Sequence, residues 1–128
     1  MLWSSKPINT EAFDYFPALK RVREYFEKNY SEPISLSDAA RLAGLETKHF
    51  SKVFSRNVGI GFKEWTDIVR VEKAIDAIRR EEQSLSTIGF AVGFQNLRTF
   101  QRVFKKHARS RARDFKRDVL HQFQNKAS

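Results

Sequence analysis

Gly93-Phe94-Gln95-Asn96-Leu97-Arg98-Thr99-Phe100-Gln101-Arg102-Val103-Phe104-Lys105-Lys106 repeats an earlier stretch of the same chain, Gly44-Leu45-Glu46-Thr47-Lys48-His49-Phe50-Ser51-Lys52-Val53-Phe54-Ser55-Arg56. The offset is 49 residues before the turn and 50 after it, so the second copy carries one extra turn residue. Each copy sets Phe, Val and Phe at i, i+3 and i+4, which marks the apolar face of a helix, with basic residues between them. A short Ala-rich or Gly-containing segment and a Gly turn precede each copy. That order outlines a helix-turn-helix.

Outward from the repeat, the rest of the chain reads as helices. Pro17 to Asn29 carries Leu19, Val22, Tyr25 and Phe26 on one stripe, and Pro33 stops any continuation. Leu36 to Ala43 is a short helix with Ser35 or Ser37 available as its cap, ended by Gly44. Thr47 to Asn57 follows, closed by Gly59 and Gly61. From Phe62 to about Glu82 no Gly or Pro interrupts, and the apolar residues keep a helical spacing. Leu85 to Val92 repeats the short helix, Leu97 to His107 the basic one, and Ala112 to about Phe123 closes the chain. Residues 1–12, mixed and polar around Trp3 and Pro7, read as a loosely held extension. No strand-like alternation persists, so the expected fold class is all-α.

The buried stripe fixes the opposite one. With Phe50, Val53 and Phe54 inward, Lys48, Ser51, Lys52 and Ser55 face out, and Thr47 stands at the helix start. With Phe100, Val103 and Phe104 inward, Arg98, Gln101, Arg102 and Lys105 face out, with Asn96 and Leu97 at the start. In a major groove, Arg or Lys donates to guanine N7 and O6, Gln pairs with adenine, and Ser or Thr serves several bases. The uninterrupted helix between the copies is roughly 30 Å long. That is close to the roughly 34 Å of one turn of B-DNA, so two reading heads would fit successive major-groove segments.

Composition supports an anionic partner. The chain has 128 residues, 41% hydrophobic content with twelve Phe and two Trp, and a net charge of +9. That is enough apolar material for a core. The charge is uneven: residues 1–84 carry a net +1 and residues 85–128 a net +8. Charge confined to one end marks an interaction surface more often than a solubilising one. With no Cys, disulfides, thiolate metal sites and Cys nucleophiles are excluded. His49, His107 and His121 show no paired metal spacing, and neither a nucleophile elbow nor a Gly-rich phosphate loop is present. No enzymatic activity, cofactor or metal is expected. No apolar run nears the roughly 20 residues of a membrane span, and no signal-peptide pattern opens the chain. A bacterial cytoplasmic, nucleoid-associated protein is expected.

From about Leu36 to Lys116 the chain resembles the DNA-binding domain of AraC/XylS-family transcription regulators. The pattern appears as Ala40, Gly44-Leu45, Phe50, Val53-Phe54, Gly59, Phe62 and Trp65, then Arg70-Val71 and Ala74. Ala77 and Ile78 stand where the family usually has a pair of Leu-like residues. The pattern closes as Ile88, Val92-Gly93-Phe94-Gln95-Asn96 and Phe100 to Lys106. With the first helix included, the size is similar to the small stand-alone members. The resemblance implies about seven helices, two helix-turn-helix units and a long linker helix. It places Thr47, Lys48, Ser51 and Lys52 on one recognition helix and Leu97, Arg98, Gln101 and Arg102 on the other. It also matches Arg70 to a linker-helix Arg, for which a packed structural role is expected. Family members commonly carry Gly, then Thr/Ser-Pro, after the second recognition helix; here Arg109, Arg111 and Ala112 stand there. Gly89 replaces the usual Ala at roughly 1 kcal/mol of helix propensity. The second unit is therefore expected to be the less stable, with its closing turn rebuilt. The arginines at 109, 111 and 113, with Lys116 and Arg117, either form a solvated tail or add phosphate contacts.

The expected organisation is an extension at 1–16, an AraC-type domain at 17–118 and a tail at 119–128. Within the domain, the first helix-turn-helix spans about 36–58, the linker helix about 62–82 and the second helix-turn-helix about 85–107. The expected function is a sequence-specific regulator, an activator, that binds double-stranded DNA as a monomer and touches RNA polymerase. Two alternatives remain open: an architectural protein with little sequence preference, separable by its specificity ratio, and a protein-docking module, disfavoured if function is lost on changing Arg98 and Arg102.

Overall fold

The computed structural model describes residues 2–80 and 83–127, with side chains as far as Gln122. Among the described residues there are eight helices and no strand. They are α1 (Ala12–Tyr15), α2 (Pro17–Asn29), α3 (Leu36–Ala43), α4 (Thr47–Val58), α5 (Phe62–Arg80), α6 (Leu85–Ala91), α7 (Leu97–Ala108) and α8 (Ala112–Ala127). The all-α class expected from the sequence is what the structure shows. The extra helix is the four-residue α1, just ahead of Pro17. The expected end of the linker helix near Glu82 lies outside the described residues, and the last helix runs past the expected Phe123. The chain divides into two compact units, one from Ser4 to Val69 and one formed by the first three residues with Arg70 onward.

In the first unit, Ser35 decides where α3 begins. Its hydroxyl accepts from the Asp38 N–H at 3.0 Å while the Ser35 N–H donates to the Asp38 carboxylate at 3.1 Å, a reciprocal capping box. Those two bonds satisfy donors that the first helical turn leaves unpaired. The Ser35 backbone N–H, and after it the Ser35 hydroxyl, hold the Asp38 carboxyl below its usual pKa of 3.8. Against α3 lies α4, whose Phe50, Phe54 and Val58 are wholly buried. Phe54 stands at the centre of an aromatic cluster, with ring centroids 5.9 Å from Phe13, 5.8 Å from Phe50, 5.5 Å from Phe62 and 5.7 Å from Trp65. Burying one such ring stabilises by up to roughly 3 kcal/mol. Two stripe assignments need correction: Val53 is only half-buried, and Tyr25 is 41% exposed while Leu19, Val22 and Phe26 are fully inside.

The segment before α1 is not loosely held. The Asn9 N–H donates to the Val58 carbonyl at 2.7 Å and its side-chain amide to the Asn57 carbonyl at 3.2 Å. The Ser5 N–H donates to the Glu64 carboxylate at 2.8 Å. The two Asn9 bonds satisfy the end of α4, whose last carbonyls lack partners within the helix. Gly59 makes the approach possible. It sits at φ 99°, and a Cβ there would collide with the Pro7 carbonyl oxygen.

The second unit builds the same outline with fewer rings. Ser84 caps α6 by accepting from the Thr87 N–H, and Asn96 caps α7 by accepting from the Thr99 N–H at 2.8 Å. Phe94, Phe100, Phe104 and Phe115 form a row, with successive centroids 5.4, 5.8 and 5.8 Å apart. Gly89 has a packing reason: an added Cβ would lie 3.0 Å from the Phe100 ring. The glycine lets α6 close onto α7. Arg70, at the head of this unit, is buried, in keeping with a structural role.

Candidate nucleic-acid interface

On α7 the division between inside and outside is complete. Phe100, Val103, Phe104 and His107 are buried, and Arg98, Gln101, Arg102 and Lys105 are exposed. Both sets follow i, i+3, i+4 and i+7 spacing, so they occupy opposite stripes of one helix. Leu97 is 37% exposed at the first helical position. Asn96 is also exposed, but its side-chain oxygen is committed to the helix cap. Only its amide N–H groups remain to meet a ligand.

On α4 the separation is softer. Lys48 and Lys52 are exposed, while Thr47 and Ser51 are half-buried. Glu46 caps the helix by accepting from the Lys48 N–H at 3.2 Å. That puts one carboxylate at the start of the stripe, where α7 has a neutral Asn. The exposed face of α7, with Arg98, Arg102 and Lys105, is therefore the more cationic of the two.

Gln101, Arg102 and Lys105 of α7 and Arg111, Ala112 and Arg113 at the start of α8 line an open cavity of about 380 Å³. Four of these six residues are cationic, so the cavity favours an anion. Arg111 is braced there: its Nε donates to the Asp114 carboxylate at 2.7 Å. That bond, followed by the charges of Arg111, Arg117 and Arg113, holds the Asp114 carboxyl below its usual pKa of 3.8. Arg109 lies elsewhere. It ends α7 in the left-handed region, at φ 59° and ψ 22°, and its guanidinium carbon stands 4.0 Å from the centre of the Trp3 indole. Sequence reasoning gave Trp3 no role here. The available signal was Arg109 itself, standing 50 residues after Gly59 at the same point of the repeat.

Two capped helices, each with aromatic side chains inward and cations outward after a short helix and a turn, define the helix-turn-helix class. Residues 39–118 match the family described as "Helix-turn-helix domain", and the chain belongs to the AraC-type family of transcription-regulator DNA-binding domains. It is 26% identical over 100 residues to an uncharacterized HTH-type transcriptional regulator of Staphylococcus aureus. That match covers 78% of this chain and 13% of the relative's length. An AraC-type regulator from Chromobacterium violaceum superposes with a TM-score of 0.76 at 22% identity, over 83% of this chain and 95% of that one. The DNA-binding domain of AdpA, a global transcriptional factor solved with a target DNA, superposes with a TM-score of 0.78 at 16% identity. It covers 83% of this chain and 95% of that one.

Proposed function

We propose that this chain is a sequence-specific DNA-binding regulator that reads base edges with the exposed stripes of α4 and α7. The observation that carries the reading is the repeated stripe: Lys48 and Lys52 on one helix, Arg98, Gln101 and Arg102 on the other, each opposite a buried Phe pair. Arg98 and Arg102 carry the paired donors that suit guanine, and Gln101 the donor and acceptor that suit adenine. Thr47, Ser51 and Leu97 flank them, and the amide of Asn96 adds donors. Lys105, Arg109 and Arg111 meet phosphates, which position the protein without specifying sequence. The AdpA complex supports DNA as the partner of such a domain. In this proposal one molecule serves both segments of an asymmetric site on the bacterial chromosome. Its role as an activator touching RNA polymerase rests on the family likeness.

The test is selection of binding sites from a random duplex pool, followed by Arg98→Ala and Arg102→Ala. Each change should cost roughly 1–3 kcal/mol on the selected site, relax base preference in one half of it and matter little on random DNA. Equal weakening on every sequence would assign these arginines to phosphates and favour the architectural alternative. Affinity should also fall by about 10³-fold or more between roughly 50 and 200 mM salt. Inserting about 5 base pairs, half a turn, between the two segments should abolish protection of one of them. Lys48→Ala with Lys52→Ala should then cost little on the spaced site. Unchanged two-segment footprints would replace one bipartite molecule with two.

A further inference from the structure

We propose that Trp3 is a positioning residue for Arg109, holding its guanidinium where it meets the DNA backbone; the inference rests on the DNA-binding reading above. The end of α7 exposes carbonyls that have no partner within the helix. Trp3 takes one of them: its N–H donates to the His107 carbonyl at 2.7 Å. Its own carbonyl lies 2.8 Å from Nδ1 of His107, a side chain only 1% exposed. The imidazole reaches that oxygen as an N–H donor, so the Trp3 backbone is fastened on both sides to one buried residue. A main chain fixed in this way fixes where the side chain departs and narrows its rotamers, and the indole lies against Arg109.

The indole is 40% exposed, so its placement is not that of a core ring. A guanidinium over a Trp face at 4.0 Å is a close cation–π contact. It also compensates for the backbone of Arg109, the one non-glycine at positive φ among the described residues. The N–H donors of a guanidinium lie in its own plane and point outward from the carbon that stands over the indole. Those edges meet phosphate oxygens in a bidentate manner. Among the described residues no carboxylate pairs with Arg109, whereas Arg111 is held by Asp114. Arg109 is thus cationic, oriented and unneutralised, two residues from the anion-favouring cavity. An unheld arginine at that point would lose rotamer freedom on binding; the indole removes that cost beforehand.

The experiment compares the unaltered chain with Trp3→Leu, Trp3→Phe, Arg109→Gly and the Trp3→Leu/Arg109→Gly pair on a random-sequence duplex of about 30 base pairs, three turns of DNA. Every Trp3 variant keeps the backbone bonds to His107, so each should fold. Trp3→Leu and Arg109→Gly should each weaken binding roughly five- to tenfold near 0.1 M salt and flatten the log K against log salt slope by about 0.9, the share of one phosphate contact. The pair should do no worse than either single change. Trp3→Phe, which retains a ring face, should recover most of the affinity and slope. Trp3 emission, read as the difference between unaltered and Trp3→Phe protein, should change when DNA is added. Trp3→Leu binding like the unaltered chain, additive losses in the pair, no effect of Arg109→Gly, or no recovery by Trp3→Phe would each overturn the positioning role. Absence of salt-dependent binding by the unaltered chain would instead overturn the DNA reading beneath it.

Discussion

Gly59 and Arg109 occupy the same point of the repeat, and the two units close their basic helices there by opposite means. In the first unit, the backbone of Pro7 packs where a side chain would otherwise stand, so only glycine fits. The second unit adopts a similar left-handed turn with an arginine, and the arginine's side chain forms the contact instead. The capped carbonyls correspond as well: Asn9 reaches Asn57, and Trp3 reaches His107, 50 residues further on. A second exchange runs the other way. Ala40 in the first unit corresponds to Gly89 in the second, where a methyl group would press on the Phe100 ring at 3.0 Å. Duplication therefore preserved where the backbone turns and let the packing around each turn diverge. The first unit carries the larger aromatic cluster, and the second carries the charge.

The largest expected effect breaks this comparison at the cores. Phe54 touches four aromatic rings and Phe104 two. Truncating a buried Phe costs roughly 3–5 kcal/mol. Phe54→Ala should fall near the upper end and Phe104→Ala near the lower, measured by urea unfolding. Equal losses would mean that ring packing does not separate the units.

Exchanging the closing residues should be less costly and asymmetric. Gly59→Arg combines backbone strain with a clash against main chain, and should destabilise by about 3 kcal/mol. Arg109→Gly relieves strain but loses the cation–π contact and adds chain entropy, leaving a change within about 0.5 kcal/mol. A large loss from Arg109→Gly would show that the Trp3 contact carries far more than such contacts usually do. At the other exchange, Ala40→Gly should cost about 1 kcal/mol through helix propensity. Gly89→Ala gains that propensity but presses on a ring with no exposed surface, so it should also destabilise, by about 1 kcal/mol. Stabilisation by Gly89→Ala would show that Phe100 has room to move.

The legible parts of the fold are those that local chemistry decides. Ser35, Gly44 and Pro17 mark helix ends because their backbone or side-chain preferences act within a few residues. The inward Phe pairs of α4 and α7 follow from spacing alone. The four-residue α1 is too short to show periodicity and lies just before a proline. Val53 and Tyr25 sit at the borders of their stripes, where angular position on the helix does not decide burial. The hold on residues 3–9 was illegible for a different reason. Its bonds at Trp3, Ser5 and Asn9 each use a main-chain N–H, which any residue but proline can donate, and their partners are about 50 to 100 residues away. At the candidate site, the exposed cations could be read from spacing. The placement of Arg109 over the Trp3 ring and the capping role of Asn96 depend on neighbours that the helix stripe does not reveal.

The smallest expected effect separates two carboxylates that ionise early for different reasons. Asp38 is held low mainly by neutral donors, the N–H and hydroxyl of Ser35. Asp114 is held low by a charged partner, Arg111, with Arg117 and Arg113 adding to it. For both, the folded chain binds the proton less readily than the unfolded one. Their stabilising contribution is therefore present above a pH of about 4, the ordinary carboxylate value, and is lost as pH falls through the lower folded values. Salt should tell them apart, because at 1 M the screening length shrinks to about 3 Å. The Arg117 and Arg113 charges would then be largely screened from Asp114, and even the exposed Arg111 pair weakened. The Ser35 bonds carry no net charge to screen. Carboxylate titrations followed by NMR at low and high salt should move the Asp114 midpoint up towards its ordinary value and leave that of Asp38 nearly in place. A common upward drift would mean that the whole unit loosens in salt, whereas a fixed Asp114 would make the 2.7 Å bond to Arg111 the whole of its cause.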